Sequence, residues 1–409
     1  MRRVVVTGLG TINGLGNNVN ETFTKMINGE NGIDFITYFD TTDFKVKLAS
    51  EIKNLNLEDY LDKGEIRRLD RVTQYGLIAA DEAIKDSNLT EFDPYRYGVF
   101  FTSGIGGLNT FYEEIEVAVT KGPNRVSPFF VPKTIINMTG GAISIKYGLK
   151  GPNIPVVSAC AASTNAIGEA FRNIKHGYID FAITGGAEAS INQIGIAGFS
   201  AIKALNTTED KNRASIPFDL ERTGFVMGEG AAALVLEEYE HAKKRGAKIY
   251  AEIVGYGSTG DAHHMTAPDP EAEAIARAIT LAADEAKINL DQIDYINAHG
   301  TSTILNDRTE TFGIKKAFKD HAYKVNISST KSMTGHALGA AGALESIAVI
   351  KALENNVVPP TINLNVSDPE CDLNYTPNVA VKKELNYGLN MNLGFGGHNA
   401  VLIFKKGEL

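Results

Sequence analysis

Hydrophobic and polar positions along the chain change period repeatedly, and each change marks an element. In residues 156–174, Val156 and Val157 follow Gly151, Pro152 and Pro155 and read as the end of a buried strand. From Ala161 the period turns helical: Ala166, Ile167, Ala170, Phe171 and Ile174 share one face, with Asn165, Glu169 and Arg172 between them. Cys160 falls where the period changes. Residues 3–7 predict a first strand, followed by a glycine-rich loop from Gly8 to Gly16. Residues 71–86 predict a helix with Thr73, Leu77, Ala80 and Ile84 in one stripe. Residues 97–103 and 179–187 predict strands. Residues 122–134 carry three prolines and predict an irregular excursion, whose adjacent Phe129 and Phe130 need a surface to bury against.

The pattern then repeats. G-F-V-M-G-E-G-A-A-A-L-V-L-E at 224–237 is echoed by L-G-F-G-G-H-N-A-V-L-I-F-K at 393–405. The turn-into-helix at 158–174 is echoed at 328–353. A strand at 294–299, ending in H-G-T-S-T, stands where 97–103 stands earlier. These echoes predict two related α/β halves meeting near residue 250, residues 1–250 and 251–409.

With 409 residues, 43% hydrophobic and 22% charged, a large core is available. The N-terminus reads as a buried strand rather than a signal peptide, and no window supplies a membrane span. The net charge of −9 argues against nucleic acid and anionic lipid as partners. Cys160 and Cys371 cannot build a disulfide framework and suit a reducing compartment. G-L-G-T-I-N-G lacks the spacing and the acidic residue of a dinucleotide loop.

The candidate chemistry gathers around Cys160. A helix N-terminus offers unpaired N–H groups that favour thiolate, and Ala159, Ala161 and Ala162 leave room for a carbonyl. The plainer reading is a small buried hydrophobe. His176, His241 and His321 read as solvated. His299, in N-A-H-G-T-S-T, and His336, in M-T-G-H-A-L-G, stand at strand or loop ends where α/β sheets gather sites, with Lys331 five residues before His336. No close ligand pair points to zinc, His263 and His264 included, and no local cysteine-protease signature is present. A thiolate with two imidazoles suits acyl transfer through a thioester.

In order and spacing, V-V-V-T-G-L-G, S-A-C-A-A-S-T, G-F-V-M-G-E-G-A, H-G-T-S-T, K-S-M-T-G-H-A-L-G-A-A-G and G-F-G-G-H-N-A resemble the motifs of the β-ketoacyl-[acyl-carrier-protein] synthases over essentially the whole chain. The resemblance is strongest to the type II condensing enzymes of dissociated fatty acid synthesis. It implies an α/β thiolase-like fold of two pseudo-symmetric halves in five αβαβα layers, paired as a cytoplasmic homodimer. It also implies decarboxylative condensation of malonyl-[acyl-carrier protein] with an acyl chain on Cys160, with no metal and no organic cofactor.

Carried over by residue, Cys160 is the nucleophile, and the N–H groups of Cys160 and Phe395 form the oxyanion hole. His299 and His336 hold the malonyl thioester carbonyl, Lys331 tunes an imidazole, and Glu345 anchors Lys331. Thr301 and Thr303 match positions that bond the phosphopantetheine arm. Ile105, Phe199 and Phe130 match the acyl pocket, Phe130 arriving from the partner subunit, and Phe395 matches a gating phenylalanine. Arg67, Arg68, Arg125 and Lys203 are candidates for a patch facing the acidic carrier protein. Ala162 and Ser163 depart from the usual residues after the cysteine, and Ile304, Leu305 and Asn306 replace a Pro-x-Gly loop. His398 varies within the family and is not counted as catalytic. The alternatives are a polyketide-type ketosynthase, a non-catalytic chain-length partner, and a degradative thiolase. The partner subunit would usually lack the nucleophile, and the thiolase would need a second active-site cysteine that Cys371 is poorly placed to supply.

Overall fold

The computed structural model describes residues 1–407. Its first strand, β1 (Val4–Asn13), runs beyond the five residues expected and is buried from end to end. Gly8 and Gly10 therefore lie inside the strand rather than in a loop. Their role is close approach: a Cβ at either would stand 2.2 Å from Ala83 O or 2.1 Å from Ala79 O of α1 (Arg71–Ser87). That helix begins where the Asp70 side chain accepts the Val72 N–H and ends on Asn88 in the left-handed conformation.

The remaining strands of the main sheet are β2 (Tyr97–Thr102), β3 (Phe181–Glu188), β4 (Gly230–Glu238), β5 (Ala251–Gly260), β6 (Tyr295–Asn297), β7 (Asn326–Ser328), β8 (Tyr387–Gly394) and β9 (His398–Lys406). They lie in the order β2-β3-β4-β1-β5-β9-β8-β6-β7. Outward from the centre, each half presents its first strand, then its last, then the strand before it, then its second. The halves join where Val4–Val6 of β1 pair antiparallel with β5. In the second half β7 follows β6 at the edge. In the first half the matching place holds one parallel bridge between Asn153 and Val99. This corrects the buried strand expected before Cys160: Val157 is exposed, and the prolines at 152 and 155 leave an edge segment with few N–H groups to pair.

The device at β1 recurs in β5, where a Cβ on Gly255 or Gly257 would meet Ala282 O or Ala278 O of α3 (Glu273–Ala286). Between the two half-sheets lie α2 (Ala162–Lys175) and α5 (Ala341–Asn355), each packed on strands of both halves. α1 covers one outer face and α3, with α4 (Ile304–Phe318) beside it, the other. The layers are thus α, β, α, β, α. Central position explains why α2 is buried nearly all round. Even Asn165 is enclosed, donating to Ser158 Oγ at 2.6 Å and accepting from the Tyr256 hydroxyl at 2.7 Å. The 122–134 excursion contains a short helix, Phe130–Thr134, and Phe130 meets Phe111 edge-on at 5.4 Å between centroids. His241 and His321, expected to be solvated, are half-buried and bond to Glu237 and to the Ile293 carbonyl. No helix among the described residues is long and apolar enough to cross a membrane.

Candidate active site

Two like turns lead into the two central helices. Ala159–Ala161 forms a single 3₁₀ turn before α2, and Leu338–Ala340 forms one before α5. Each opens on a non-glycine residue with positive φ, Ala159 at 51° and Leu338 at 47°. Cys160 is second in its turn and Gly339 is second in the other. The Cys160 turn is pressed against the end of β8, where a Cβ on Gly394 would stand 2.5 Å from Ser158 O and 3.3 Å from Cys160 N. That contact brings the following residue, Phe395, into position for its N–H, with that of Cys160 itself, to bond the sulfur.

Burial dominates the thiol. It pushes Cys160 up to about 12; Lys331 pulls the other way, and the Glu188 carboxylate pushes with the burial. The helix N-terminus therefore does not yield a resting thiolate, which corrects the sequence expectation. At neutral pH the group is a thiol that must lose its proton on reaction.

His299 and His336 meet edge to face, ring centroids 5.3 Å apart. Burial first, then the Lys331 ammonium, holds both imidazoles well below their usual range, so both are neutral. Lys331 Nζ and Asn392 Nδ2 each stand 3.4 Å from His299 Nδ1. Both are donors, so Nδ1 accepts and Nε2 carries the hydrogen. Lys331 is bound to Glu345 Oε1, while Glu345 Oε2 accepts from Asn392 Nδ2 at 2.6 Å. His336 is fixed through its backbone, donating to Val226 O at 2.7 Å and accepting from Gly228 N at 2.9 Å. The motif G-F-V-M-G thereby sets its position, with Phe225 edge-on to the imidazole at 5.2 Å.

Cys160, His299 and His336 open onto one cavity of about 330 Å³. Thr301 and Thr303 line it with hydroxyls 2.9 Å apart, and Phe199 and Phe395 face each other across it at 6.5 Å between centroids. Lys203, exposed, stands on its wall, as do Ile304, Leu305 and Asn306. Ile105 lies behind the wall, packed in the apolar cluster that holds Cys160, Ile191, Ile196, Leu205, Phe225 and Leu338. Phe130 does not reach the cavity of its own chain. Arg67, Arg68 and Arg125 are exposed and do not line it either. Cys371 is buried beside a different cavity of about 530 Å³.

Sequence reasoning missed Asn392 and Glu310. The signal for Asn392 was present, because N-M-N inside an apolar strand puts Asn390 and Asn392 on the same buried face. Glu310 accepts the N–H groups of His299, at 2.5 Å, and Gly300, at 2.7 Å, so it orients the histidine's backbone. It is contributed by α4, where the side-chain pattern alone does not reveal its target.

A cysteine from one half meeting two histidines from the other between stacked half-sheets is the arrangement of the thiolase-fold condensing enzymes. The β-ketoacyl synthase N-terminal domain matches residues 1–242 and the β-ketoacyl synthase C-terminal domain residues 250–365. A 3-oxoacyl-[acyl-carrier-protein] synthase 2 of Staphylococcus aureus (strain COL) is 51% identical over 409 residues, covering 100% of this chain and 99% of that protein. One of Coxiella burnetii (strain RSA 493 / Nine Mile phase I) is 47% identical, covering 99% of each. A ketosynthase structure, described as a type II PKS acyl-carrier protein in complex with its ketosynthase, superposes with a TM-score of 0.93 at 35% identity and full coverage of both chains. The chain belongs to the β-ketoacyl synthase family.

Proposed function

We propose that this chain catalyses decarboxylative condensation of malonyl-[acyl-carrier protein] with an acyl chain held on Cys160, giving 3-oxoacyl-[acyl-carrier protein] in fatty acid elongation. The observation that carries the reading is the shared cavity of Cys160, His299 and His336. The Cys160 sulfur attacks the acyl thioester of the carrier. The C–S bond to the carrier breaks, a new one forms to Cys160, and the thiol proton leaves with the carrier's sulfur. The N–H groups of Cys160 and Phe395 receive the oxyanion. Such a donor is typically worth about 3–4 kcal/mol of transition-state stabilisation.

Malonyl thioester then enters with its carbonyl at the imidazoles. Loss of carbon dioxide leaves its electron pair in an enolate, whose oxygen accepts from the N–H groups of neutral His299 and His336. Neutral rings suit this step, since each keeps a hydrogen to donate without a charge to bury. The enolate carbon attacks the acyl-cysteine carbonyl, the C–C bond forms, and the sulfur leaves as thiolate and takes up a proton from water. Lys331, held by Glu345, keeps His299 Nδ1 an acceptor and so aims Nε2–H at the substrate.

Thr301 and Thr303 are placed to bond the carrier's phosphopantetheine arm. Phe395 gates the thiol, and Phe199 and Ile105 belong to the acyl pocket. Lys203 faces the carrier at the cavity mouth, and Arg67, Arg68 and Arg125 extend the basic patch. In this division of labour residues 1–250 carry the nucleophile and dimer contacts, and residues 251–409 the histidines, lysine and gate. A homodimer is supported by the exposed apolar set Phe129, Val131, Ile135, Ile145, Ile154 and Val157, which includes the edge segment beside Val99. In a dimer Phe130 would reach the partner's acyl pocket. The setting is the cytoplasm, and no metal or organic cofactor enters the steps. Identity of 51% to a fatty-acid-type synthase, against 35% to the polyketide ketosynthase, favours the elongation reading.

The test is condensation of acyl- and malonyl-carrier protein, followed by mass spectrometry of the carrier. Cys160→Ala is expected to abolish the 3-oxoacyl product, and His299→Ala to lose condensation while retaining acylation of Cys160. Unchanged elongation by His299→Ala would refute the histidine's role.

A further inference from the structure

Glu188 is fully buried and takes no part in the steps above. Its Oε2 accepts from Gly104 N at 2.8 Å and Gly339 N at 3.0 Å. Its Oε1 meets Ser103 Oγ at 2.9 Å, Ser190 Oγ at 3.2 Å and Ile105 N at 3.3 Å. One carboxylate therefore joins two segments distant in sequence. The first is the Ser103–Ile105 segment, whose isoleucine packs in the cluster behind Cys160. The second is the Leu338–Ala340 turn, whose Leu338 lines the cavity and belongs to the same cluster.

Fold symmetry gives this contact a meaning. Thr102, the last residue of β2, pairs with Gly186, and Asn297, the last of β6, pairs with Asn390. Two residues further on, Glu188 and Asn392 are counterparts, as are Gly104 and His299. In the second half Asn392 steadies the His299 imidazole. In the first half the same position carries a carboxylate, and what it steadies is the Gly104–Ile105 backbone.

We propose that Glu188 is a positioning residue that sets acyl chain-length discrimination, by fastening the Ile105 segment to the Leu338–Ala340 turn so that the apolar floor beneath Cys160 stays closed. This rests on the proposed acylation of Cys160. The floor is a single packed unit only while its two sides are tied, and a long chain must displace it where a short one need not. Loosening the tie therefore helps long donors relative to short ones.

Glu188→Gln also removes the charge that pushes the Cys160 thiol up, which affects every acyl donor alike, so the ratio between donors isolates the tie. The amide oxygen of that variant can keep Gly104 and Gly339, and its NH₂ can donate to the two serine hydroxyls. The Ile105 N–H is then the one donor left facing a donor. Initial rates of Cys160 acylation would be read by intact-protein mass spectrometry with butyryl- and palmitoyl-carrier protein. The palmitoyl-to-butyryl ratio is expected to rise about tenfold, the scale of one lost buried hydrogen bond to a charged group. Ser103→Ala, which removes one hydroxyl from Oε1 and the acceptor for Gly106 N at 2.9 Å, is expected to shift the ratio the same way by less. Malonyl-carrier protein decarboxylation, which depends on the histidines, is expected to be unchanged in both. A ratio within twofold of the unsubstituted protein in both variants overturns the proposal, whatever their stability. Absence of any adduct on Cys160 in the unsubstituted protein would instead sink the acylation reading beneath it.

Discussion

Lys331 and Glu345 form an ion pair with side chains 2% and 3% exposed, in the middle of the proposed site. Replacing Lys331 by Met removes the cation and leaves the carboxyl enclosed, with Asn392 as its remaining partner. Breaking a buried pair in this way costs about 3–5 kcal/mol, whereas exchanging both members for apolar residues is often neutral or stabilising. An unfolding entropy of ~2.1 cal/mol/K per residue, over 409 residues, converts that cost into a fall in melting temperature of about 3–6 °C. Differential scanning calorimetry at neutral pH is the assay. Lys331→Met should melt lower by that amount, and Lys331→Met with Glu345→Leu should recover most of it. Function should not recover with stability, because both variants remove one of the two donors at His299 Nδ1 and leave Asn392 alone to hold the ring's tautomer and orientation. Malonyl decarboxylation should thus stay low in the double variant. If the double variant melted as low as the single one, the loss would be a packing defect and not an orphaned charge. If decarboxylation returned with stability, Lys331 would have no part in orienting His299.

Three other outcomes follow from the geometry. Because burial pushes the Cys160 thiol up to about 12, its alkylation by iodoacetamide should rise about tenfold per pH unit from neutrality to pH ~10; a plateau below pH 8 would show a resting thiolate instead. Gly394→Ala puts a Cβ 2.5 Å from Ser158 O and should displace the oxyanion donors, lowering Cys160 acylation about 10²-fold; near-normal acylation would contradict that close contact. Burial, aided by Asp86, raises Glu82 from 4.5 to about 7, so the fold favours its neutral form. Its contribution is intact below pH ~4.5 and is lost as pH rises through ~7, so between pH 5 and 8 the protein should lose stability relative to Glu82→Gln, by something on the order of 3 kcal/mol at most. Parallel pH–stability curves for the two proteins would exclude this.

Strong periodicity carried α1 and the apolar face of α2 into the sequence reading, since a helix against a sheet must bury a stripe at helical spacing. The repeated halves were also legible, because both build the same order of strands from similar glycine-rich and apolar runs. What failed did so for local reasons. The glycines at 8 and 10 looked like a loop, yet they mark where α1 approaches β1 within Cβ distance. Val156 and Val157 looked like a buried strand, yet prolines reduced that strand to a single bridge at an edge. The state of the sulfur was misread because a helix terminus is a local feature, whereas the enclosure that dominates it is assembled from both halves. Cys160, His299, His336 and Lys331 stood out individually, as unusual residues among small ones. Asn392, Glu310 and Glu188 did not, because their importance lies in which distant backbone or ring they bond.

The most direct test of a single acyl-transfer site is a two-step mass measurement on the intact protein. Incubation with acyl-carrier protein should add the mass of one acyl group, on the peptide containing Cys160. Addition of malonyl-carrier protein should then discharge that group with release of carbon dioxide and appearance of 3-oxoacyl-carrier protein. An adduct mapped to another residue, or one that malonyl-carrier protein leaves in place while acetyl-coenzyme A removes it, would contradict the mechanism.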